Sequence, residues 1–364
     1  MHGFIVRLAA VAAIVVAALA AAAPLQAVPP DDRYAVTGIV SNLATLAPKV
    51  DPNLQNGWGL TASATSPWWV ADNDTNKASV YTAAGTINSL VVGVDGGPTG
   101  TVFSGMPGFF PVATATDPTL GQASFIFASQ DGKIRGWRSG ASALVTADRS
   151  GFGSSYFGLT LAGTGSAARL YAADFKNRNV DVFDGTWTLV TAPGAFKEPH
   201  LPSDYGPFGI QAIGNRIFVA FAQQETPGGD EVHAPGAGIV DAFDLNGQFL
   251  HRVASHGGLN APWGLAMAPA SGFGPFSGDL LIGNFGDGVI QAFRELPDGS
   301  WDHEGVIRDA HREKVSIDGL WSLQFGHGAA NNGSTSTLFF TAGPNDETDG
   351  IFGSITLIPT SGGA

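Results

Sequence analysis

Two sets of side chains in this sequence have the types and spacing for chemistry. The first is a polar residue that recurs after the second strand of each of several similar segments: Asp72 and Asn73, Gln130 and Asp131, Asp174, Gln223 and Gln224, Asn284, and Asn345 after Pro344. Carboxylate and amide oxygens are hard donors suited to calcium or magnesium. Asp72, Asp174, Asn284 and Asn345 are therefore the candidate metal ligands, and the expected cofactor is calcium or another divalent cation. The competing reading is that Asp and Asn cap tight turns through local hydrogen bonds. The second set lies in the longest polar insertion, Gln223 to Gly238, which carries Glu225, Asp230, Glu231 and His233. His233, or His200 in another long connection, would be a general base only if folded back over the tunnel. Asp346, Glu347 and Asp349 form a further acidic turn.

Other chemistries find no support. Asp72-Asn73-Asp74-Thr75-Asn76 begins like a calcium loop, but Lys77 stands where the glycine belongs and Ala83 where the glutamate belongs. The histidines have no metal-binding spacing and the chain has no cysteine. There is no G-x-S-x-G elbow and no phosphate loop, so neither a serine nucleophile nor a nucleotide cofactor is expected. A net charge of -13 without a basic run disfavours nucleic acid.

The elements that would position these residues are repeated meanders. In the stretch 262–293, P-W-G-L-A-M precedes L-L-I-G-N and V-I-Q-A-F, three short strands joined by turns. Five more copies occur, and Gly59, Gly100, Gly158, Gly209, Gly264 and Ser322 align. One such meander cannot bury its faces alone, so copies must stack. The predicted fold is an all-β, six-bladed β-propeller, one domain over residues 34–358. The last repeat lacks an outer strand. Tyr34 to Val40 is expected to supply it and close the ring, because an open edge invites foreign pairing. The outer strand of the fifth repeat is placed at Val306 to Ala310, where helix is the other reading. Trp58, Phe157, Phe208, Trp263 and Trp321 adjoin the aligned positions. They read as blade-to-blade packing or as an aromatic wall at the tunnel mouth.

The motifs D-P-N-L-Q-N-G-W-G-L at 51–60, W-V-A-D-N at 69–73, N-A-P-W-G-L-A at 260–266, L-I-G-N-F-G-D-G at 281–288 and F-T-A-G-P-N-D-E-T-D-G at 340–350 resemble an uncharacterised family of secreted bacterial β-propellers, NHL-like in architecture. The resemblance covers roughly residues 34–357. It implies an extracytoplasmic propeller and transfers no catalytic residue. Some members carry a C-terminal sorting tail, which this sequence lacks.

The expected function is a secreted or periplasmic binding or scaffold protein for a small molecule, glycan or protein. The alternative is a metal-dependent, lactonase-like hydrolase or lyase at the tunnel mouth. A monomer is expected. Arg7 followed by an apolar run, 8–23, and then Pro24 reads as a secretory signal peptide within residues 1–27, leaving no membrane attachment once removed. N-terminal sequencing of the exported protein is expected to begin close to residues 24–28. A product retaining Met1 would refute the cleavage.

Overall fold

The computed structural model describes residues 33–359; the leader expected at 1–27 lies outside them. Six sheets each present an inner strand to a common axis, in an all-β, six-bladed propeller. The inner strands are Gly57–Thr61, Pro98–Phe103, Tyr156–Ala162, Tyr205–Ile213, Pro262–Met267 and Leu320–Phe325. No helix among these residues is long and apolar enough to cross a membrane.

The N-terminal strand Arg33–Ser41 pairs antiparallel with Ile351–Ile358, so the first strand and the last share one sheet, as expected. Tyr34 fixes the latch: it is buried, and its hydroxyl donates to the Phe273 carbonyl at 2.8 Å. The third blade has three strands, and only a single bridge, Phe183 with Leu189, lies where a fourth would run. In the fifth blade the outer strand is Trp301–Val306, not 306–310. The turn Leu296–Ser300 closes tightly, with Asp298 accepting from the Ser300 amide, and returns the chain at once.

The aligned small residues explain how the blades meet. A Cβ on Gly264 would stand 2.6 Å from the Trp321 carbonyl oxygen of the next inner strand. Gly59, Gly100 and Gly209 abut the next blade's backbone more closely still, and Gly158 sits against Phe208 and Ile210. At the sixth junction the Thr341 hydroxyl donates to the Trp58 carbonyl and accepts from the Ser322 amide, so a serine suffices there.

Each inner strand also carries a register irregularity at or beside this position. A bulge re-aims the side chain it carries. Trp58, Phe157, Phe208, Trp263 and Trp321, each one residue before the aligned position, pack together with Phe175 and Phe285. In the second blade the place belongs to Thr99, whose hydroxyl donates to the Tyr156 carbonyl at 2.8 Å.

Gly209→Ala is expected to lower stability by at least about 2 kcal/mol, because the new methyl meets backbone that cannot rotate away. Gly151→Ala, in open space at an ordinary φ, is expected to be near neutral. Thermal unfolding of the two variants checks the contrast.

Candidate functional site at the tunnel mouth

The aromatic cluster separates the tunnel into two hollows. On the side where the inner strands end, a cavity of ≈ 200 Å³ is lined by inner-strand residues including Thr61, Thr101, Thr160, Gln211 and Gln324. On the side where the inner strands begin, a cavity of ≈ 570 Å³ is lined by Trp58, Gln130, Phe157, Glu225, Asp230, Glu231, Val232, His233 and Glu347. The second hollow gathers the titratable groups.

Its floor is rigid. Trp58 and Trp321 lie 3.8 Å apart between ring centroids, and Phe285 stacks on Trp321 at 3.9 Å. Phe157 leans on Trp58, Phe175 and Phe208 at 5.2, 4.9 and 5.5 Å, yet stays half-buried. Both buried indoles donate to one atom, Oδ1 of Asn56, at 2.9 and 2.8 Å. That fixes the orientation of the amide, because its oxygen must face the two N–H groups. Its Nδ2 then donates to Glu347 Oε2 at 2.6 Å.

Glu347 is presented by an uncommon turn. Asn345, Asp346 and Glu347 have φ of 60°, 50° and 64°, three successive non-glycine residues in the left-handed region. Such residues cost roughly 1 kcal/mol or more each. The turn is held by the Asn345 amide donating to Asp318 Oδ2 at 2.8 Å and the Asp349 amide donating to the Pro344 carbonyl. Burial raises the Glu347 carboxyl above the usual glutamate range. The Asn56 hydrogen bond opposes the rise, and the charges of Glu231 and Asp74 add to it.

The opposite wall is the insertion of the fourth blade, between Arg216–Gln223 and Gly238–Asp244. Gln224 pairs with Glu231 across it, and the Gln224 Nε2 donates to the Phe175 carbonyl at 2.6 Å. This ties the insertion to the third blade and carries it over the mouth. His233 lies 3.2 Å from Glu231 Oε1 and meets Phe285 edge-on at 5.1 Å. The Glu231 hydrogen bond raises the imidazole above the usual histidine range, and the charges of Glu231, Glu347 and Glu225 act the same way against partial burial.

The four candidate metal ligands stand elsewhere, each tied into its own blade. Buried Asp72 accepts from the Ser79 hydroxyl at 2.6 Å. Asp174 accepts from the Ser155 amide and from Asn177 Nδ2 at 3.0 and 2.8 Å. Asn284 donates to the Gly258 carbonyl and Asp287 at 2.8 and 3.0 Å. Asn345 donates to Thr348 and Asp349 at 3.0 and 3.2 Å. None of the four lines the mouth hollow. Among the described residues no three of His, Cys, Asp and Glu are grouped to hold a metal ion. The segment 72–77 is a strand-joining turn in which the Asn76 amide donates to the Asn73 carbonyl. Of the two histidines singled out, His233 reaches the mouth, whereas His200 is exposed on its connection and does not line it.

The uncharacterised protein L690 of Acanthamoeba polyphaga mimivirus is 30% identical over 339 residues, spanning 88% of this chain and 85% of the viral protein. The chain belongs to that protein's family. A second mimivirus protein, the uncharacterised R648, is 29% identical over 340 residues, with 88% and 80% covered. No family model matches the chain. Among solved structures, a Bacteroides thetaiotaomicron protein of unknown function superposes with TM-score 0.55 at 12% identity, over 90% of this chain and 77% of that one. A streptogramin B lyase gives 0.51 at 12% identity, over 90% and 98%. The soluble aldose sugar dehydrogenase of Escherichia coli gives 0.51 at 11%, over 89% and 99%. These likenesses show the propeller fold, on which different chemistries are built.

Asn56→Ala removes one acceptor and two donors, leaving both indoles and Glu347 without their partner. A loss on the order of 3 kcal/mol is expected in denaturant unfolding. Glu347→Gln keeps an oxygen for Asn56 and removes the ionisation. The raised Glu347 carboxyl is favoured neutral in the fold, so stability is fullest below the ordinary glutamate pKa and falls as pH rises through the raised one. The raised His233 has the same sign, losing its contribution as pH rises through its folded value. The Gln variant is expected to flatten the Glu347 part of the decline. An unchanged slope of stability against pH would contradict this.

Proposed function

We propose that this protein is a hydrolase or lyase acting on a small molecule at the tunnel mouth, with Glu347 and His233 as its acid–base pair. One observation carries the reading: two proton-carrying side chains with raised affinity for the proton share a hollow whose floor is locked by Asn56 and two indoles. A carboxyl and an imidazole that both hold their protons more tightly than usual, set in a concave site, are suited to proton-transfer catalysis. In this scheme ionised Glu347 takes a proton from water or from a substrate C–H. His233, held protonated by Glu231, gives its proton to the departing oxygen or nitrogen. Asn56 holds the Glu347 carboxylate in one orientation, and the aromatic floor excludes water from beneath the substrate.

No step is derived through a metal, since the residues named as ligands bond within their own blades. The assay is nevertheless run with calcium, with magnesium and with chelator. The resemblance to secreted NHL-like propellers supports export, and we place the activity outside the cytoplasm.

The test is a panel of lactones and elimination substrates, followed by proton release and ultraviolet absorbance. Glu347→Gln and His233→Ala are each expected to lower kcat by about 10²–10⁴-fold, with KM changed far less. Turnover unchanged in both variants would refute the assignment. A mouth that binds ligands tightly and consumes none would return the protein to the class of binding modules.

A further inference from the structure

The mouth hollow does not end at Phe157. A second hollow of ≈ 360 Å³ lies beside it, lined by residues that include Ser150, Ser154, Ser155 and Lys176. Gln130, Phe157 and Asp230 line both, so the two adjoin across the half-buried phenyl ring. The carboxylates are densest in the inner hollow, and the one lysine of the groove lies in the outer hollow, which Asp131 and Asp230 also line. Glu225, Asp230, Glu231 and Glu347 surround the inner hollow, where His233 is the basic group and is matched to Glu231. The outer hollow carries Lys176, exposed and with no hydrogen-bond or ion-pair partner among the described residues. Its stem passes beneath the insertion, so that a Cβ on Gly228 would stand 3.2 Å from its Cγ. Asp131, also in the outer hollow, is already engaged by Arg135 at 2.6 Å.

We propose that the two hollows form one groove for an extended zwitterion, an ω-amino acid or a short peptide-like molecule. Its ammonium lies against the Phe157 ring among the inner carboxylates, and its carboxylate lies at Lys176. A cation over an aromatic face is attracted by the ring quadrupole, most strongly where water is thinned. A carboxylate in the inner hollow is repelled by the acidic groups around it. An unpaired ammonium at the far end supplies the complementary anchor, and a ligand charged at one end alone leaves the other unmatched. This inference rests on the mouth being a ligand site and names the class of molecule it selects.

The experiment is calorimetric titration of the mature protein with straight-chain ω-amino acids of increasing length, alongside the matching alkylamines and alkylcarboxylates. One chain length is expected to bind at least about tenfold tighter than either singly charged analogue, a difference the two anchors together supply. Lys176→Met, which keeps the stem, should bring that amino acid down to the affinity of the amine. Phe157→Leu should weaken amino acid and amine alike by about threefold or more. Carboxylates binding as well as amines, no member binding, or a Lys176→Met variant with unaltered preference would each overturn the proposal. These probes are read by binding alone. A negative result with catalysis intact in the Glu347 and His233 comparison would therefore remove the zwitterion and leave the acid–base assignment standing.

Discussion

At four of the six places where neighbouring inner strands touch, Gly59, Gly100, Gly209 and Gly264, there is no room for a side chain. That exclusion governs the rest of the molecule. At five junctions the residue is glycine, and at the sixth the Thr341 hydroxyl bridges the two backbones. The aromatic side chains one residue before these junctions sit at the end where the inner strands begin, beside a register irregularity in each strand. An aromatic cluster at the mouth thus follows from the same step in the chain that lets the blades meet, and the cluster in turn becomes the floor of the site.

Because the cluster is aromatic, it brings polar obligations. Buried indole N–H groups need acceptors. Trp58 and Trp321 share one, and Trp263 donates to the Phe157 carbonyl at 3.2 Å. The shared acceptor, Asn56, is left with its amide donors pointing outward to Glu347. Hydrophobic packing, the satisfaction of two indoles and the orientation of a carboxylate are therefore one chain of cause. Thr99 breaks the aromatic ring at the second blade, and the neighbouring Gln130 lines the hollow that remains.

Most of the fold was legible because it is periodic: glycines, tight-turn residues and alternating strands recur at matching places, and the orphan strand at Tyr34 had one open edge to join. The outer strand of the fifth blade was misplaced because Trp301–Val306 has little apolar alternation to mark it; its middle residues are exposed. The site was legible only in part. The insertion carrying His233 stood out by length and polarity, and its fold over the mouth depends on Gln224 reaching the third blade, which no local pattern encodes. Asn56 and Glu347 are 291 residues apart in sequence. Their pairing could have been sought from the indoles, since two tryptophans beside the aligned positions require acceptors. The recurring Asp and Asn residues misdirected attention: periodic conservation of type within the chain reflects a turn's needs as readily as a ligand's.

The turn at 345–347 sharpens this distinction between what the fold requires and what the site requires. Among the described residues, other turns reach the left-handed region with glycine or with a single non-glycine residue. This one uses three non-glycine residues in succession. A glycine at 347 would relieve the backbone and delete the carboxylate that meets Asn56. Its bond to Asn56 also crosses the seam between the sixth blade and the first, but that seam is held besides by Arg33–Ser41 and by Thr341. Strain retained at a side chain that lines the mouth hollow is a reason to seek chemistry there. A partly buried carboxyl whose burial disfavours its charge is the second cost at the same residue. Two penalties converging on Glu347 are the physical reason to assign the proton transfer there, ahead of the exposed Glu225 and Asp230 at the rim.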